Sequence, residues 1–119
     1  GVELPKIFSA TVVGKEAKLI SGDTLGNFCR HTDALHPLAV GLNCGGNPED
    51  LLSHLEFVAK HTNCRIAFYP SAGLPGHEVS PERFAAIIAE ALPLGATIVG
   101  GCCGTTPEYI SALRRMINS

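Results

Sequence analysis

The stretch Ile98-Val99-Gly100-Gly101-Cys102-Cys103-Gly104-Thr105-Thr106-Pro107 combines a short apolar run, two adjacent cysteines between glycines, and the start of a helix. Consecutive side chains of an extended strand point to opposite faces, so two neighbouring thiols reach one metal ion only where the backbone bends between them. Gly100, Gly101 and Gly104 permit such a bend, because glycine adopts backbone angles that other residues resist. The stretch therefore predicts two thiols presented at the C-terminal end of a strand.

A third cysteine stands in a matching context upstream. Residues 38–46 form an apolar run that ends in Cys44, with glycines beside it and a helix start after it. If the two strands are parallel, Cys44, Cys102 and Cys103 lie at the same edge of the sheet and can share one ion. Three thiolates with an open fourth position are typical of catalytic zinc. A vicinal Cys102–Cys103 disulfide, or buried cysteines that act as small apolar side chains, fit the spacing equally well.

Composition narrows the class of protein. The chain has 119 residues, is 45% hydrophobic and carries a net charge of −2, which is typical of a globular domain with one core. This weak negative charge predicts no nucleic-acid partner, and no apolar run approaches the roughly 18–20 residues of a membrane helix. Five cysteines without the regular spacing of a secreted disulfide framework predict a reducing, cytoplasmic location.

Strand and helix patterns alternate four times along the chain. The predicted strands are 6–13, 38–42, 65–69 and 96–99, and a polar loop over 14–23 leads to a first helix over 24–35. The other three helices each begin with a capping residue, a proline and a glutamate. These starts are Asn47-Pro48-Glu49, Ser80-Pro81-Glu82 and Thr106-Pro107-Glu108.

Apolar residues at helical spacing predict the face that each helix buries. These residues are Leu25, Phe28 and Leu35 in the first helix; Leu51, Leu52, Leu55, Val58 and Ala59 in the second; Phe84, Ile87, Ile88, Ala91 and Leu92 in the third; and Ile110, Leu113, Met116 and Ile117 in the last. The alternation predicts an α/β fold of four β/α units, with parallel strands joined by right-handed crossovers. An open four-stranded sheet and half of an eight-fold barrel both satisfy this pattern.

Three segments carry a resemblance to a known family. Residues 41–44 (GLNC), 69–75 (YPSAGLP) and 99–107 (VGGCCGTTP) resemble the homocysteine S-methyltransferase family, and most of all the homocysteine-binding domain of cobalamin-dependent methionine synthase. The resemblance covers nearly the whole chain. It implies that residues 1–119 are a partial homocysteine-binding domain, namely the last four β/α units, or C-terminal half, of a (β/α)₈ TIM barrel.

The resemblance also implies a cofactor, a substrate and an activity. Cys44, Cys102 and Cys103 match the three zinc ligands of the family, and no catalytic residue is predicted beyond them. Homocysteine is the implied methyl acceptor and methionine the product. Methylcobalamin, held by another domain, is the predicted methyl donor, because the GLNC and AGLP segments look most like methionine synthase. S-methylmethionine and betaine serve other relatives and remain alternative donors.

Two departures from the family pattern concern the substrate. Methionine synthases usually have an asparagine where this chain has Ser71, which is shorter and a weaker zinc ligand, so direct ligation by Ser71 is not expected. The acidic-glycine segment and the glutamate that grip the amino-acid part of homocysteine belong to the first four units, and nothing here matches them. Candidate substrate contacts in this chain are Asn43, Ser71 and Gly101. Asn43 is equally suited to orienting Cys44, and Gly101 to shaping the turn.

The sequence is also compatible with two other functions. One is a non-catalytic half-barrel that binds zinc or a partner, and another is a thiol-redox domain that uses a Cys102–Cys103 disulfide. Four units leave two sheet edges unpaired, which predicts docking with an N-terminal half-barrel or self-association. The isolated chain is therefore predicted to be inactive without the N-terminal half.

The remaining cysteines and histidines are predicted to lie outside the metal site. Cys64 precedes the third strand and so lies at the opposite end of the sheet, while Cys29 falls within a helix and is expected to pack. The histidines on or near helices, His31, His54 and His61, are predicted to be solvated. His77 follows the third strand on the cysteine side and is a further candidate for substrate contact.

Overall fold

The computed structural model describes residues 4–13 and 18–119. In chain order its elements are β1 (Ile7–Ala10), β2 (Val12–Val13), β3 (Lys18–Leu19), α1 (Leu25–Asp33), β4 (Ala39–Cys44), α2 (Pro48–His61), β5 (Arg65–Pro70), α3 (Pro81–Ala91), β6 (Ala96–Val99) and α4 (Pro107–Asn118). The prediction of four β/α units with parallel strands is confirmed. None of the helices in the described ranges is long and apolar enough to cross a membrane.

The main sheet keeps its strands in the order in which they occur along the chain. Its order is β1-β4-β5-β6, and every neighbouring pair is parallel. A doubly wound sheet reverses its strand order at one point, whereas a barrel continues in sequence with its helices on one face. The sequential order therefore favours a segment of a barrel over an open doubly wound sheet.

One face of the sheet packs against the helices and forms the core. Strand residues alternate between faces, and those on the helix side are almost completely buried. They pack with the apolar faces of the helices into one cluster that includes Val40, Leu42, Ile66, Phe68, Ala96, Leu51, Leu55, Val58, Phe84 and Ile88. Side chains on the opposite face, such as Ser9, Asn43 and Tyr69, keep some exposure.

The middle of the sheet requires a glycine in β4. Gly41 pairs with Ser9 of β1 on one side and with Ala67 of β5 on the other. A Cβ atom at Gly41 would collide with the carbonyl oxygen of Ala67, so no larger residue fits without moving a strand.

The helix starts are where the sequence predicts them. Asn47 accepts a hydrogen bond from the Glu49 N–H at the start of α2, and Ser80 accepts one from the Arg83 N–H at the start of α3. Thr106 differs, because its side chain caps no backbone N–H of α4. Its hydroxyl instead donates to the Glu108 carboxylate at 2.5 Å.

The first predicted strand is wrong in its length. β1 ends at Ala10, and Val12–Val13 then leaves the parallel sheet to pair antiparallel with Lys18–Leu19. Part of the predicted loop 14–23 is therefore a strand, while residues 14–17 lie outside the described residues. By contrast, β4 continues two residues beyond its predicted end, as far as Cys44.

Several residues predicted to be buried are exposed. α1 ends at Asp33, so Leu35 falls in the following turn and is 61% exposed. Leu92 lies just past the end of α3, and Ile110 and Ile117 of α4 are also exposed. α4 packs mainly against α3, so its buried face is narrower than the sequence pattern suggests and consists of Tyr109, Ala112 and Leu113.

One histidine also differs from its prediction. His54 is only 6% exposed, because it lies on the side of α2 that faces the core rather than the solvent. His31 and His61 are exposed.

Candidate metal centre

Three cysteines meet at the C-terminal edge of the sheet. Cys44 is the last residue of β4, and Cys102 and Cys103 follow the end of β6. Their sulfur atoms all lie within 4.8 Å of one another, and the Sγ atoms of Cys44 and Cys103 are 3.4 Å apart. Because β5 separates β4 from β6, the two loops must bend toward each other over the end of β5. Among the described residues this is the only group of three or more potential metal ligands.

The structure pairs two of the three sulfurs. Cys44 and Cys102 form a disulfide with their Cα atoms 5.5 Å apart, while Cys103 is free. The thiol-redox alternative predicted a disulfide between Cys102 and Cys103, and the structure pairs Cys102 with Cys44 instead. Disulfide sulfurs do not act as thiolate ligands, so metal binding requires a two-electron reduction of the Cys44–Cys102 pair.

The reduced cluster fits zinc. A Zn–S bond of about 2.3 Å places tetrahedral thiolates roughly 3.8 Å apart, which these sulfurs reach with shifts of about an ångström. Thiolate ligands suit zinc, whereas magnesium and calcium prefer oxygen. Three protein thiolates also leave the fourth position open for a substrate.

A left-handed turn directs Cys44 toward the other two cysteines. Cys44, Gly45 and Gly46 all have positive φ angles, of 59°, 85° and 76°. For Cys44 this conformation costs about 1 kcal/mol, because its Cβ approaches the following carbonyl. At Gly45 a Cβ would also lie 2.9 Å from Cδ1 of Leu51. The turn therefore depends on its two glycines and on contacts that hold Cys44 in place.

The Cys102–Cys103 loop is closed by Thr105. Its backbone N–H and its hydroxyl both donate to the Cys102 carbonyl, at 3.2 and 2.6 Å. A Cβ at Gly101 would lie 2.5 Å from the Thr105 Oγ1, so only glycine fits there. This contact supports the turn-shaping role of Gly101, and a contact between Gly101 and substrate stays a prediction.

The loop that follows β5 bonds to both cysteine loops. The Ser71 N–H donates to the Cys44 carbonyl at 3.4 Å, and the Ala72 N–H donates to the Cys103 carbonyl at 2.8 Å. The Ser71 hydroxyl donates to the Gly46 carbonyl, and the residue is only 2% exposed. Ser71 thus has little free surface for a substrate, and its predicted substrate contact remains untested.

Asn43 connects the end of β4 to the end of β1. Its amide oxygen accepts from the Ser9 hydroxyl at 2.5 Å, and its NH₂ donates to the Thr11 Oγ1 at 2.9 Å. Of the two roles predicted for Asn43, these bonds support the orientation of Cys44. Sequence reasoning missed Ser9 and Thr11, although two polar residues at alternating positions of an apolar run were a usable signal.

Two helices begin shortly after the cysteines. α2 begins four residues after Cys44 and α4 begins four residues after Cys103. Both helices therefore start on the same side of the sheet as the three cysteines. The Glu49 carboxylate in the first turn of α2 is paired with the Arg83 guanidinium of α3 at 2.8 Å.

The other two cysteines lie at the opposite end of the sheet. Cys29 is fully buried, and Cys64 immediately precedes β5 and donates to the Asp33 carboxylate at 3.4 Å. Burial, reinforced by the negative charge of Asp33 and by Cys64, raises the pKa of Cys29 to about 11. Burial likewise raises the pKa of Cys64. Both stay protonated near neutral pH and lie apart from the three-cysteine cluster.

His77 lies on the cysteine side of the sheet but in an exposed loop. It lines a small cavity of about 130 Å³ together with Asn47 and Leu74. A contact between His77 and substrate stays a prediction.

Comparison with known proteins gives one family and one fold. The sequence model of the homocysteine S-methyltransferase family matches residues 2–117. Three similar solved structures are forms of the homocysteine methyltransferase MmuM from Escherichia coli. The metallated form has a TM-score of 0.77 and 27% identity, covering 93% of this chain and 35% of that chain. The apo form has a TM-score of 0.75 and 26% identity, covering 94% and 39%.

The third structure, the oxidized form, has a TM-score of 0.74 and 24% identity, covering 91% of this chain and 35% of that chain. At this lower identity the match supports the fold alone. This chain therefore spans little more than a third of the length of the MmuM chains. Its sheet and helices match part of a TIM barrel-like homocysteine methyltransferase. Because the family match extends over nearly all of its residues, this chain belongs to the homocysteine S-methyltransferase family.

Proposed function

We propose that this chain supplies the metal-binding half of an enzyme that transfers a methyl group to the thiol of homocysteine and so forms methionine. The observation that carries the proposal is the convergence of three sulfurs from two separate loops within 4.8 Å. They lie at the C-terminal edge of the strands, where barrel enzymes of this kind place their active sites. The similarity to a metallated homocysteine methyltransferase adds support for a metal at this edge.

Zinc is the metal we propose, with Cys44, Cys102 and Cys103 as its ligands. When bound, it supplies an open position that lowers the pKa of a coordinating thiol so that the sulfur is ionised near neutral pH. The chain itself holds the three thiols in place through the bonds of Ser71, Ala72 and Thr105. In the overall reaction a carbon–sulfur bond forms on homocysteine, the bond between the methyl group and its donor breaks, and the thiol proton passes to solvent.

The amino-acid part of homocysteine requires a second half of the barrel. Within the described residues neither β1 nor β6 has a second neighbouring strand, and both edges offer unpaired backbone groups. The chain also spans only 35–39% of the MmuM chains. We propose that an N-terminal half-barrel pairs with these edges and completes the substrate site, with self-association of two copies as the alternative. The need for free thiols fits a reducing compartment such as the cytoplasm.

The methyl donor is a separate question. Methylcobalamin is the donor that the sequence predicts, from its likeness to methionine synthase. The similarity to MmuM gives no preference for cobalamin, so S-methylmethionine and betaine stand beside it as alternatives. The donor is best identified by direct assay.

The test is a methyl-transfer assay on the reduced, zinc-loaded chain combined with the N-terminal half-barrel of a family member. Each of the three donors is supplied with homocysteine, and methionine is measured. We expect methionine with one donor, dependent on zinc, and abolished by Cys44→Ser but not by Cys64→Ser. Zinc binding without methionine from any donor would instead support the non-catalytic half-barrel. Activity that survives Cys44→Ser would contradict the proposed site.

A further inference from the structure

We propose that Ser71 is a positioning residue of the metal centre, whose buried hydroxyl fixes the place of Cys44 relative to Cys102 and Cys103. The inference rests on the proposed function to the extent that it concerns the same zinc site. It goes further by giving this residue a role in metal affinity without any contact between Ser71 and the metal.

The turn that carries Cys44 has an unfavourable backbone conformation. Three consecutive residues, Cys44 to Gly46, adopt the left-handed conformation, which is unfavourable for the cysteine itself. Such a conformation persists where the surrounding structure holds it. Ser71 holds this turn at both ends, because its N–H donates to the Cys44 carbonyl and its hydroxyl donates to the Gly46 carbonyl.

The loop that holds this turn also bonds to the Cys102–Cys103 loop. The next residue, Ala72, donates its N–H to the Cys103 carbonyl at 2.8 Å, and its own carbonyl accepts from the Val79 N–H at 2.9 Å. Two adjacent residues of one loop thus bond to Cys44 and to Cys103, which come from strands that are not neighbours. The distance between the two thiols depends directly on this pair of residues.

Both residues of this loop are shielded from solvent. Ser71 is 2% exposed and Ala72 is fully buried, so water does not readily replace the hydroxyl that binds the Gly46 carbonyl. Removing that hydroxyl leaves all three thiols present but frees the turn to relax away from the geometry that zinc requires. We therefore expect weaker zinc binding with an unchanged number of ions per chain.

The experiment is a zinc titration of the reduced 119-residue chain in competition with a chromophoric chelator. Ser71→Ala should bind one zinc per chain, but about 10- to 100-fold more weakly than the unsubstituted chain, as is typical when a group that orients a ligand is lost. Ser71→Thr, which keeps the hydroxyl, should bind within a few-fold of the unsubstituted chain. Valine has nearly the shape of threonine but no hydroxyl, so Ser71→Val should resemble Ser71→Ala in its zinc affinity.

A matched control removes a buried hydroxyl far from the cluster. Thr32 is 7% exposed and its hydroxyl donates to the Phe28 carbonyl at 2.8 Å, so Thr32→Val should lower stability but leave zinc affinity unchanged. Equal affinities for Ser71→Ala and the unsubstituted chain would overturn the inference while leaving the zinc site intact. If Ser71→Ala does not fold, equal affinities of the threonine and valine variants would overturn it in the same way. Failure of the unsubstituted chain to bind zinc would count against the proposed function itself.

Discussion

The two ends of the sheet use cysteine in opposite ways. At the C-terminal end, Cys44, Cys102 and Cys103 lie on glycine-containing turns that bring their sulfurs together. At the N-terminal end, Cys29 lies within α1 and Cys64 precedes β5, each beside the Asp33 carboxylate. The same residue type thus forms a candidate metal site at one end and part of the packed interior at the other.

The difference arises from the backbone and from the surrounding charge. Loops after parallel strands can bend over the sheet edge, and here they bring the three sulfurs together. At the other end, burial and the Asp33 carboxylate both disfavour thiolate, which raises the pKa of Cys29. The place of a cysteine in the topology, rather than its spacing in the sequence, therefore decides whether it can join the candidate metal site.

The largest expected contrast between the two ends is in zinc binding. Cys44→Ser removes one of three thiolates and should weaken zinc binding by about a thousandfold, because structural and catalytic zinc sites derive their affinity from all of their ligands. Cys64→Ser should leave the affinity unchanged. Metal analysis after reduction and gel filtration, followed by competition titration, measures both. Comparable zinc content in the two variants would remove the distinction between the ends.

The second contrast is in the dependence of stability on alkaline pH. Burial raises the pKa of Cys29 to about 11 from its ordinary value of 9.0, so between these pH values the folded state keeps a proton that the unfolded state releases. The stability that the protonated Cys29 thiol contributes is fully present below pH 9 and is lost as the pH rises toward 11. The free energy of unfolding should fall by up to about 3 kcal/mol over this range.

Urea unfolding between pH 7 and 11 under reducing conditions tests this prediction. Cys29→Ala should be less stable than the unsubstituted chain at pH 7, and it should lose less stability on going from pH 9 to 11. Parallel pH profiles for the two proteins would show that Cys29 is not the group responsible.

The third contrast concerns Asp33. Burial opposes its ionisation, but hydrogen bonds from Thr62, Asn63 and Cys64 outweigh burial and lower its pKa. Asp33→Asn should lower the free energy of unfolding by about 1–2 kcal/mol at pH 7, since charged acceptors make stronger hydrogen bonds. Because the pKa is lowered on folding, this advantage of the aspartate should disappear as the pH falls below about 4.

Denaturant unfolding at pH 7 and pH 3 gives the stability difference, and zinc titration gives the comparison between the two ends. We expect Asp33→Asn to bind zinc as tightly as the unsubstituted chain. A loss of zinc affinity in this variant would mean that the two ends of the sheet are coupled.

The smallest expected effect is at the Cys102 loop. Thr105→Val removes the hydroxyl that donates to the Cys102 carbonyl, but the Thr105 N–H still bonds to the same oxygen. Zinc affinity should fall only about two- to five-fold, as for one neutral hydrogen bond. Thr106→Val is a matched control, because its exposed hydroxyl bonds to Glu108 and not to the loop. An effect of equal size in both variants would assign the change to the start of α4 instead.

Much of the fold could be predicted because its signals are local. Capping residues followed by proline and glutamate marked the starts of α2, α3 and α4, and short apolar runs marked the four parallel strands. The errors occurred where tertiary contacts decide. The antiparallel pairing of Val12–Val13 with Lys18–Leu19 overrides a continuous apolar run, and the exposed Ile110 and Ile117 reflect the limited surface that α3 offers to α4.

The sequence by itself determined the order of β/α units, the family, and which three cysteines stand at strand ends. It did so because strand and helix periodicity, capping and glycine placement are properties of neighbouring residues. Only the tertiary structure decided that the sulfurs converge over the end of β5 and that Ser71 and Ala72 bond to both loops. Those contacts join residues far apart in the chain, and their geometry depends on strand order and register, which no local pattern specifies.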